Sequence, residues 1–346
     1  MNDLVKKEPV AGDGLLSPSL YPPLPSIVVQ TTNGNGESAT RRFLEFFTVN
    51  IRNLNTRRAY YRAACKFLDF AEARGVFDLK AVQPMLVAAW IETEQKIHEA
   101  QTVKQELAAV RMLFDWMVIG QMMPMNPASA VRGPKYSYRK GKTPVLSRED
   151  AKHLLASIPL IYKDEVTGIE SPDIAGLRDR ALIALMVYSF ARVGAMVKMR
   201  VEDYYANGKT WWVRLHEKGG KFHEVPVNHN AEEYLDAYLE AAGIEGEKKT
   251  PLFRSVRART RKLTALPMNE RDVLRMIKRR AIVANVTVPG VCCHTFRATG
   301  ITAYLMNGGT VENAQMIAAH ESPRTTKLYD RRSDDISLDE VEKIVL

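Results

Sequence analysis

The chain has 346 residues, enough for two ordinary domains that each bury a core. Its 49 lysines and arginines against 40 acidic residues leave a formal net charge of +9, which suits a polyanionic partner. No stretch reaches the ~18 consecutive apolar residues of a membrane helix and the N-terminus lacks a signal-peptide core, so the protein is expected in the cytosol.

Residues 1–40 carry Pro22, Pro23 and Pro25 and a polar T-T-N-G-N-G-E-S run, and read as a flexible arm. Its apolar pieces, Leu15, Leu16 and Ile27 to Val29, are candidates for docking on a neighbour. Residues 41–131 have a helical pattern throughout. Asn55 or Thr56 can cap a helix whose buried face is Tyr60, Ala64, Phe67 and Ala71. Arg58, Arg62 and Lys66 recur every four residues along another face, with Arg57 beside them. A second helix, Thr102 to Met122, buries Val103, Leu107, Val110, Phe114 and Met117 and carries Lys104 and Arg111 together. Each basic stripe alone fits a solvated surface; two on one small module tilt the reading toward phosphate contact. Residues 132–146 are punctuated by Gly133, Pro134 and Pro144 and read as an extended interdomain linker. Lys135, Arg139, Lys140 and Lys142 would let it lie on a phosphate backbone.

A second domain is expected over residues 147–346, opened by a capping box at Ser147 to Asp150. Helices are predicted near 150–158, 174–190, 231–242, 268–284, 296–306, 311–319 and 324–329. Trp211 to Arg214 and His223 to Val227 have the β-branched and aromatic content of strands, and Lys218-Gly219-Gly220-Lys221 between them reads as a hairpin turn. Gly308-Gly309-Thr310 separates two helices as a C-cap followed by an N-cap. Ile336 to Leu346 alternates acidic with apolar residues. That tail either folds onto its own core or docks on a neighbouring subunit. There is no internal repeat.

The three cysteines, Cys65, Cys292 and Cys293, have no C-x-x-C spacing and read as reduced, packed thiols. Cys292-Cys293-His294 is no metal site, because neighbouring side chains diverge. There is no G-x-x-x-x-G-K-[ST] loop and no paired-carboxylate metal site.

The chemistry concentrates at the end of the chain. His320 to Asp330 reads H-E-S-P-R-T-T-K-L-Y-D and sets an imidazole nine residues ahead of the phenol of Tyr329, among Arg324, Lys327, Arg331 and Arg332. A phenol with pKa near ~10 needs help from nearby cations and a base before it is a useful nucleophile. Upstream lie His294-Thr295-Phe296-Arg297, Lys218 in the hairpin turn, and Arg192 after the apolar run Ala181 to Phe190. This order, and the H-x-S-x-x-T-T-x-x-Y phrase above all, resembles the active site of the tyrosine recombinases, the phage integrase, Xer and Cre type. The resemblance covers Pro144 to the C-terminus well and Arg41 to Ala130 loosely, and omits the first forty residues.

The resemblance implies a mainly α protein: an N-terminal helical, SAM-like core-binding bundle and a mostly α catalytic domain with a small β-sheet. It implies a site-specific DNA recombinase that joins Tyr329 to a 3′ phosphate, uses no cofactor or metal, and acts in integration, excision or resolution of mobile or plasmid DNA. Arg192, Arg297 and His320 would hold the phosphate, His294 would take the Tyr329 proton, and Lys218 would protonate the leaving 5′ oxygen, with Lys221 its competitor for that role. The implied partners are double-stranded DNA with paired inverted repeats, a homo-tetramer on two DNA sites and accessory proteins, with the nucleoid as the place of work. Two other readings stay open: a type IB topoisomerase, and a DNA-binding architectural protein or repressor that has lost catalysis. Two departures from the family pattern bear on the choice. Ala195 stands where an acidic residue usually follows the first arginine, which leaves either Glu202 or Asp203 to replace it or a weaker site. Ala319 stands in a glycine's place, a change expected to be harmless inside a helix.

Overall fold

The computed structural model describes residues 23–30, 36–135, 141–217, 220, 222–257 and 260–331. The chain divides into two compact units, residues 1–137 and 138–346.

The first unit is helical: α1 (Ser26–Gln30), α2 (Gly36–Glu45), α3 (Leu54–Glu72), α4 (Pro84–Gln95) and α5 (Ala100–Ile119). Asn53, two residues before the expected Asn55, caps α3: its side-chain oxygen accepts from the Asn55 and Thr56 amides, both at 3.0 Å. The apolar faces read from the sequence are the core faces, with Phe67, Ala71, Val103, Val110, Phe114 and Met117 fully buried. A π-helical turn, Phe46–Asn50, extends α2. Phe43, Phe46, Phe47 and Tyr61 meet there edge to face, with centroids 4.7 to 5.9 Å apart.

Within the expected flexible arm, Ser26–Gln30 is instead a packed helical turn. Ile27 and Val28 are fully buried in this unit's own core, and the Ser26 hydroxyl and Ile27 amide donate to the Glu72 carboxylate at 2.9 and 2.7 Å. Leu15 and Leu16 lie outside the described residues. Within the expected linker, 132–146, residues 136–140 lie outside the described residues, and the Gly141 amide donates to the Leu328 carbonyl at 2.8 Å.

The second unit carries α6 (Arg148–Ala156), β1 (Ile161–Lys163), β2 (Glu170–Pro172), α7 (Ile174–Tyr188), α8 (Val193–Met196), β3 (Tyr204–Asn207), β4 (Thr210–His216) and β5 (Phe222–Pro226). After these come α9 (His229–Ala242), β6 (Arg254–Val256), β7 (Leu263–Pro267), α10 (Glu270–Val283), α11 (Cys293–Met306), α12 (Val311–Ile317) and α13 (Pro323–Lys327). Ser147 caps α6, and Thr310 caps α12. The antiparallel sheet runs β3-β4-β5, with His216 opposite Phe222 across the hairpin. The pairs β1-β2 and β6-β7 and the strand β3 are short and mostly exposed or half-buried, and their sequences lack the alternation that reveals a strand.

Helix α7 is central: Ala181 to Met186 is buried on every side. It is crossed by α11 at Gly300, where an added Cβ would stand 2.0 Å from the Val187 carbonyl oxygen. That close approach brings Arg297, one turn earlier on α11, to the C-terminal end of α7. Below it, Asp179 is fully buried and neutralised by Arg178 at 2.6 Å and Arg280 at 2.7 Å, a structural ion-pair network.

Candidate active site

Five candidate catalytic side chains, Arg192, His294, Arg297, His320 and Tyr329, lie around the C-terminal end of α7. Tyr329, two residues beyond α13, is 6% exposed and packs with Phe190, Ala298, Ile301 and Leu305. Its backbone is fixed by the Thr302 hydroxyl, which donates to the Tyr329 carbonyl at 2.9 Å, and its ring stacks on His320 with planes 8° apart. The Tyr329 hydroxyl lies 2.5 Å from His294 Nε2. Burial first, then Arg297 and Arg192, hold the His294 pKa below its ordinary value. A neutral ring with its proton on Nδ1 can accept the phenol's hydrogen bond at Nε2.

Arg297 is 1% exposed, and its two terminal nitrogens donate to the carbonyls of Phe190 and Ala318, the latter at 2.6 Å. Its Nε has no hydrogen-bond partner among the described residues. Burial, then the neighbouring Arg192, push its pKa down to about 10, while Tyr329 and Glu217 favour the charged form. A buried guanidinium with an unsatisfied donor is suited to an anion.

His320 is placed by the end of α12. The Ala319 amide bonds to Met316 and the His320 amide to Gln315, at 3.0 and 3.1 Å, a pairing that requires a left-handed residue at Ala319, whose φ is +46°. This corrects the expectation of a harmless alanine inside a helix: position 319 lies past the helix end, in a conformation that favours glycine. His320 Nδ1 lies 2.8 Å from the Thr326 hydroxyl. Burial, then Arg297, Arg192 and His294, push its pKa down to about 3. His320 is therefore neutral at pH 7 and acts as a hydrogen-bonding group.

Arg192 caps α8, and its Nη1 donates to Glu217 Oε2 at 2.6 Å. The expected substitutes for the missing carboxylate are elsewhere. Glu202 pairs with Arg200, and Asp203 binds the Arg200 amide and His216 Nε2, each at 2.8 Å. Lys218 and Lys221 lie outside the described residues, as does the C-terminal tail from residue 332. Arg331 donates to the backbone carbonyls of Gly141 at 2.7 Å and Thr143 at 3.4 Å, a contact that straps the residues after Tyr329 to the start of this unit.

The basic stripes of the first unit separate into two kinds. Arg57 is buried and donates to the Ile51 carbonyl at 2.9 and 3.1 Å, Lys66 sits among Glu94, Glu106 and His98, and Arg111 binds the carbonyls of Ala128 and Val131. Each of these three long side chains is engaged by internal acceptors. Arg62, Lys104, Lys135 and Lys142 are exposed and Arg58 is half-buried. Arg139 and Lys140 lie outside the described residues. Among the described residues, one cluster has metal-ligand chemistry, Glu94, His98 and Glu106, and the Lys66 ammonium bridges it. No helix among the described residues is long and apolar enough to cross a membrane.

Sequence reasoning missed Glu217, Thr302 and the supporting part played by Thr326. Thr326 lies inside the quoted C-terminal phrase, and Glu217 directly precedes Lys218; neither position has a pattern that announces its contact.

Residues 160–335 match the phage integrase family, and residues 38–119 match the phage integrase N-terminal SAM-like domain. The chain is 25% identical over 285 residues to tyrosine recombinase XerD of Staphylococcus saprophyticus, covering 80% of this chain and 87% of that one. It is 26% identical over 232 residues to tyrosine recombinase XerC of Chlamydia pneumoniae, covering 66% and 67%. Among solved structures it is similar to the XerH site-specific recombinase bound to palindromic difH substrate in a post-cleavage complex. There the TM-score is 0.63 at 16% identity, with 91% and 84% of the chains covered. A lambda integrase dimer bound to a COC′ core site gives 0.62 at 17% identity, with 87% and 99% covered.

Proposed function

This chain belongs to the phage integrase family of tyrosine recombinases, and on that premise we propose that it cuts and rejoins DNA at a specific site through a 3′-phosphotyrosyl intermediate. The observation that carries the reading is the short Tyr329 to His294 hydrogen bond beside the buried Arg297 guanidinium. In the proposed reaction the Tyr329 oxygen attacks a backbone phosphorus while its proton passes to His294 Nε2. The bond from phosphorus to the 5′ oxygen breaks, and Lys218 supplies the proton that leaves a 5′-hydroxyl. Attack by a 5′-hydroxyl of a second strand reverses these steps. The phosphodiester energy is held in the tyrosyl bond, so no nucleotide triphosphate is consumed.

The pentavalent transition state gathers negative charge on its nonbridging oxygens. Arg192, the Nε of Arg297 and a hydrogen bond from His320 Nε2 would stabilise that charge. If His320 donates from Nε2, its Nδ1 accepts from Thr326, so the Thr326 hydroxyl selects the tautomer. The biological setting is proposed on the family's pattern: double-stranded DNA with paired inverted repeats, and four subunits on two sites. One solved neighbour, lambda integrase, is a tetramer bound to a Holliday junction.

The test is a nicked duplex carrying an inverted repeat from the DNA flanking the gene, incubated with protein in EDTA and denatured in SDS. A protein-linked 3′ end that is absent with Tyr329→Phe is expected. No adduct, with DNA binding intact, would favour a binding-only architectural protein or repressor. An adduct that only reseals its own strand would favour a topoisomerase.

A further inference from the structure

The side chain of Arg192 has a carboxylate partner that lies 25 residues away in the sequence. Helix α8 begins at Arg192, whose carbonyl accepts from the Ala195 and Met196 amides at 2.9 and 3.1 Å. Position 195, one turn on and sharing a face with Arg192, is a buried alanine and offers no charge. Glu217 fills that chemical gap from the end of β4. Its side chain is 9% exposed and its Oε2 accepts from Arg192 Nη1 at 2.6 Å.

Glu217 is held in place before any ligand arrives. The preceding residue, His216, is tied by Nε2 to the buried Asp203 at 2.8 Å, and Asp203 also binds the Arg200 amide. Successive strand residues point to opposite faces, so anchoring His216 on one side delivers Glu217 to the other. The bond to Glu217 uses one of the five N–H groups of Arg192 and leaves four for a phosphate. Its negative charge also offsets the repulsion between Arg192 and the buried Arg297. We propose that Glu217 is the positioning residue for Arg192 in DNA cleavage, the carboxylate that fixes the phosphate-binding guanidinium from the hairpin strand instead of from position 195. The proposal rests on the reading of Arg192 as a phosphate-binding group.

The experiment measures single-turnover adduct formation at saturating nicked duplex, DNA affinity and melting temperature for the parent, Glu217→Gln, Glu217→Ala, Arg192→Lys and the double variant. Glu217→Ala is expected to slow adduct formation roughly 10- to 100-fold, as misplacement of a catalytic group does, with affinity and melting temperature nearly unchanged. Glu217→Gln keeps an acceptor and falls between. In the Arg192→Lys background the further loss from Glu217→Ala should shrink to about twofold or less, because Glu217 acts through Arg192. An unchanged or faster rate in Glu217→Ala would overturn the proposal, since the carboxylate would then be idle or a competitor of the phosphate. Equal losses in both backgrounds would overturn it too. If the parent itself forms no adduct, the recombinase reading fails, and modification of Arg192 by phenylglyoxal decides the Glu217 contact separately. Severalfold faster modification in Glu217→Ala supports the positioning contact, and an unchanged rate removes it.

Discussion

Replacing Arg297 with lysine should damage the fold as well as the chemistry, and the structure says by how much. The guanidinium is 1% exposed and satisfies two buried carbonyls on separate segments, Phe190 after α7 and Ala318 after α12. A lysine ammonium is a single point donor and can reach one of them. The other is left buried without a partner, at about 1–3 kcal/mol. In a domain of this size that is roughly 2–4 °C of melting temperature per kcal/mol, so a fall of about 2–12 °C is expected. Loss of the fork should also slow adduct formation roughly 100- to 1000-fold, as loss of one transition-state donor does. Arg192→Lys supplies the contrast: that side chain is 42% exposed, so its melting temperature should stay within about 2 °C while adduct formation falls comparably. Calorimetry of the three proteins, beside the SDS adduct assay, reads both quantities. An Arg297→Lys protein that melts with the parent would refute the claim that this arginine ties α7 to α12.

Cleavage should persist below pH 6.5 and fail only as the pH drops through the depressed His294 pKa, since the base must be neutral; a rate profile with its acid limb at or above pH 7 would contradict this. His320 gives the stability counterpart. The unfolded chain protonates near ~6.5 and the folded one at about 3, so its contribution is complete above about pH 6.5 and lost as the pH falls toward 3. That amounts to at most about 4–5 kcal/mol, to be read from denaturant melts against pH and removed in His320→Gln. Ala319→Gly should raise stability by about 1 kcal/mol or less, the left-handed strain relieved minus the added chain entropy, and a lower melting temperature would count against a strained alanine. Arg62→Ala with Lys104→Ala should flatten the slope of log affinity against log salt by up to about 1.8. Arg57→Ala should leave that slope alone and cost about 1.5–3 kcal/mol of stability.

The sequence made the long elements legible because their apolar spacing is also their packing. Val103 to Met117 marks the inner face of α5, and Trp211 to Arg214 falls within β4. The convergence of Arg297, His294 and Tyr329 could be expected only from a resemblance, since nothing in their spacing requires α11 to cross α7 at Gly300. What escaped was the use made of long polar side chains. Arg57, Lys66 and Arg111 sit at helical spacings that a DNA-facing stripe would also have, yet each turns inward to a carbonyl or carboxylate. Whether a guanidinium faces water or a backbone oxygen depends on loops that end far away in the sequence. Ala319 was misread for a related reason: helix propensity applies only inside a helix, and α12 ends at Ile317.

The strap formed by Arg331 with Gly141 and Thr143 bears on how the catalytic half can be isolated. A fragment begun at Ser147, where the first helix of that half is about to start, would discard both carbonyls that Arg331 grips and the amide that holds Leu328. The peptide on either side of the nucleophile would then lose its tether, and poor activity in such a fragment would report the cut, not the enzyme. An expression boundary at or before Tyr138 keeps Gly141 and Thr143 and with them the native setting of Tyr329.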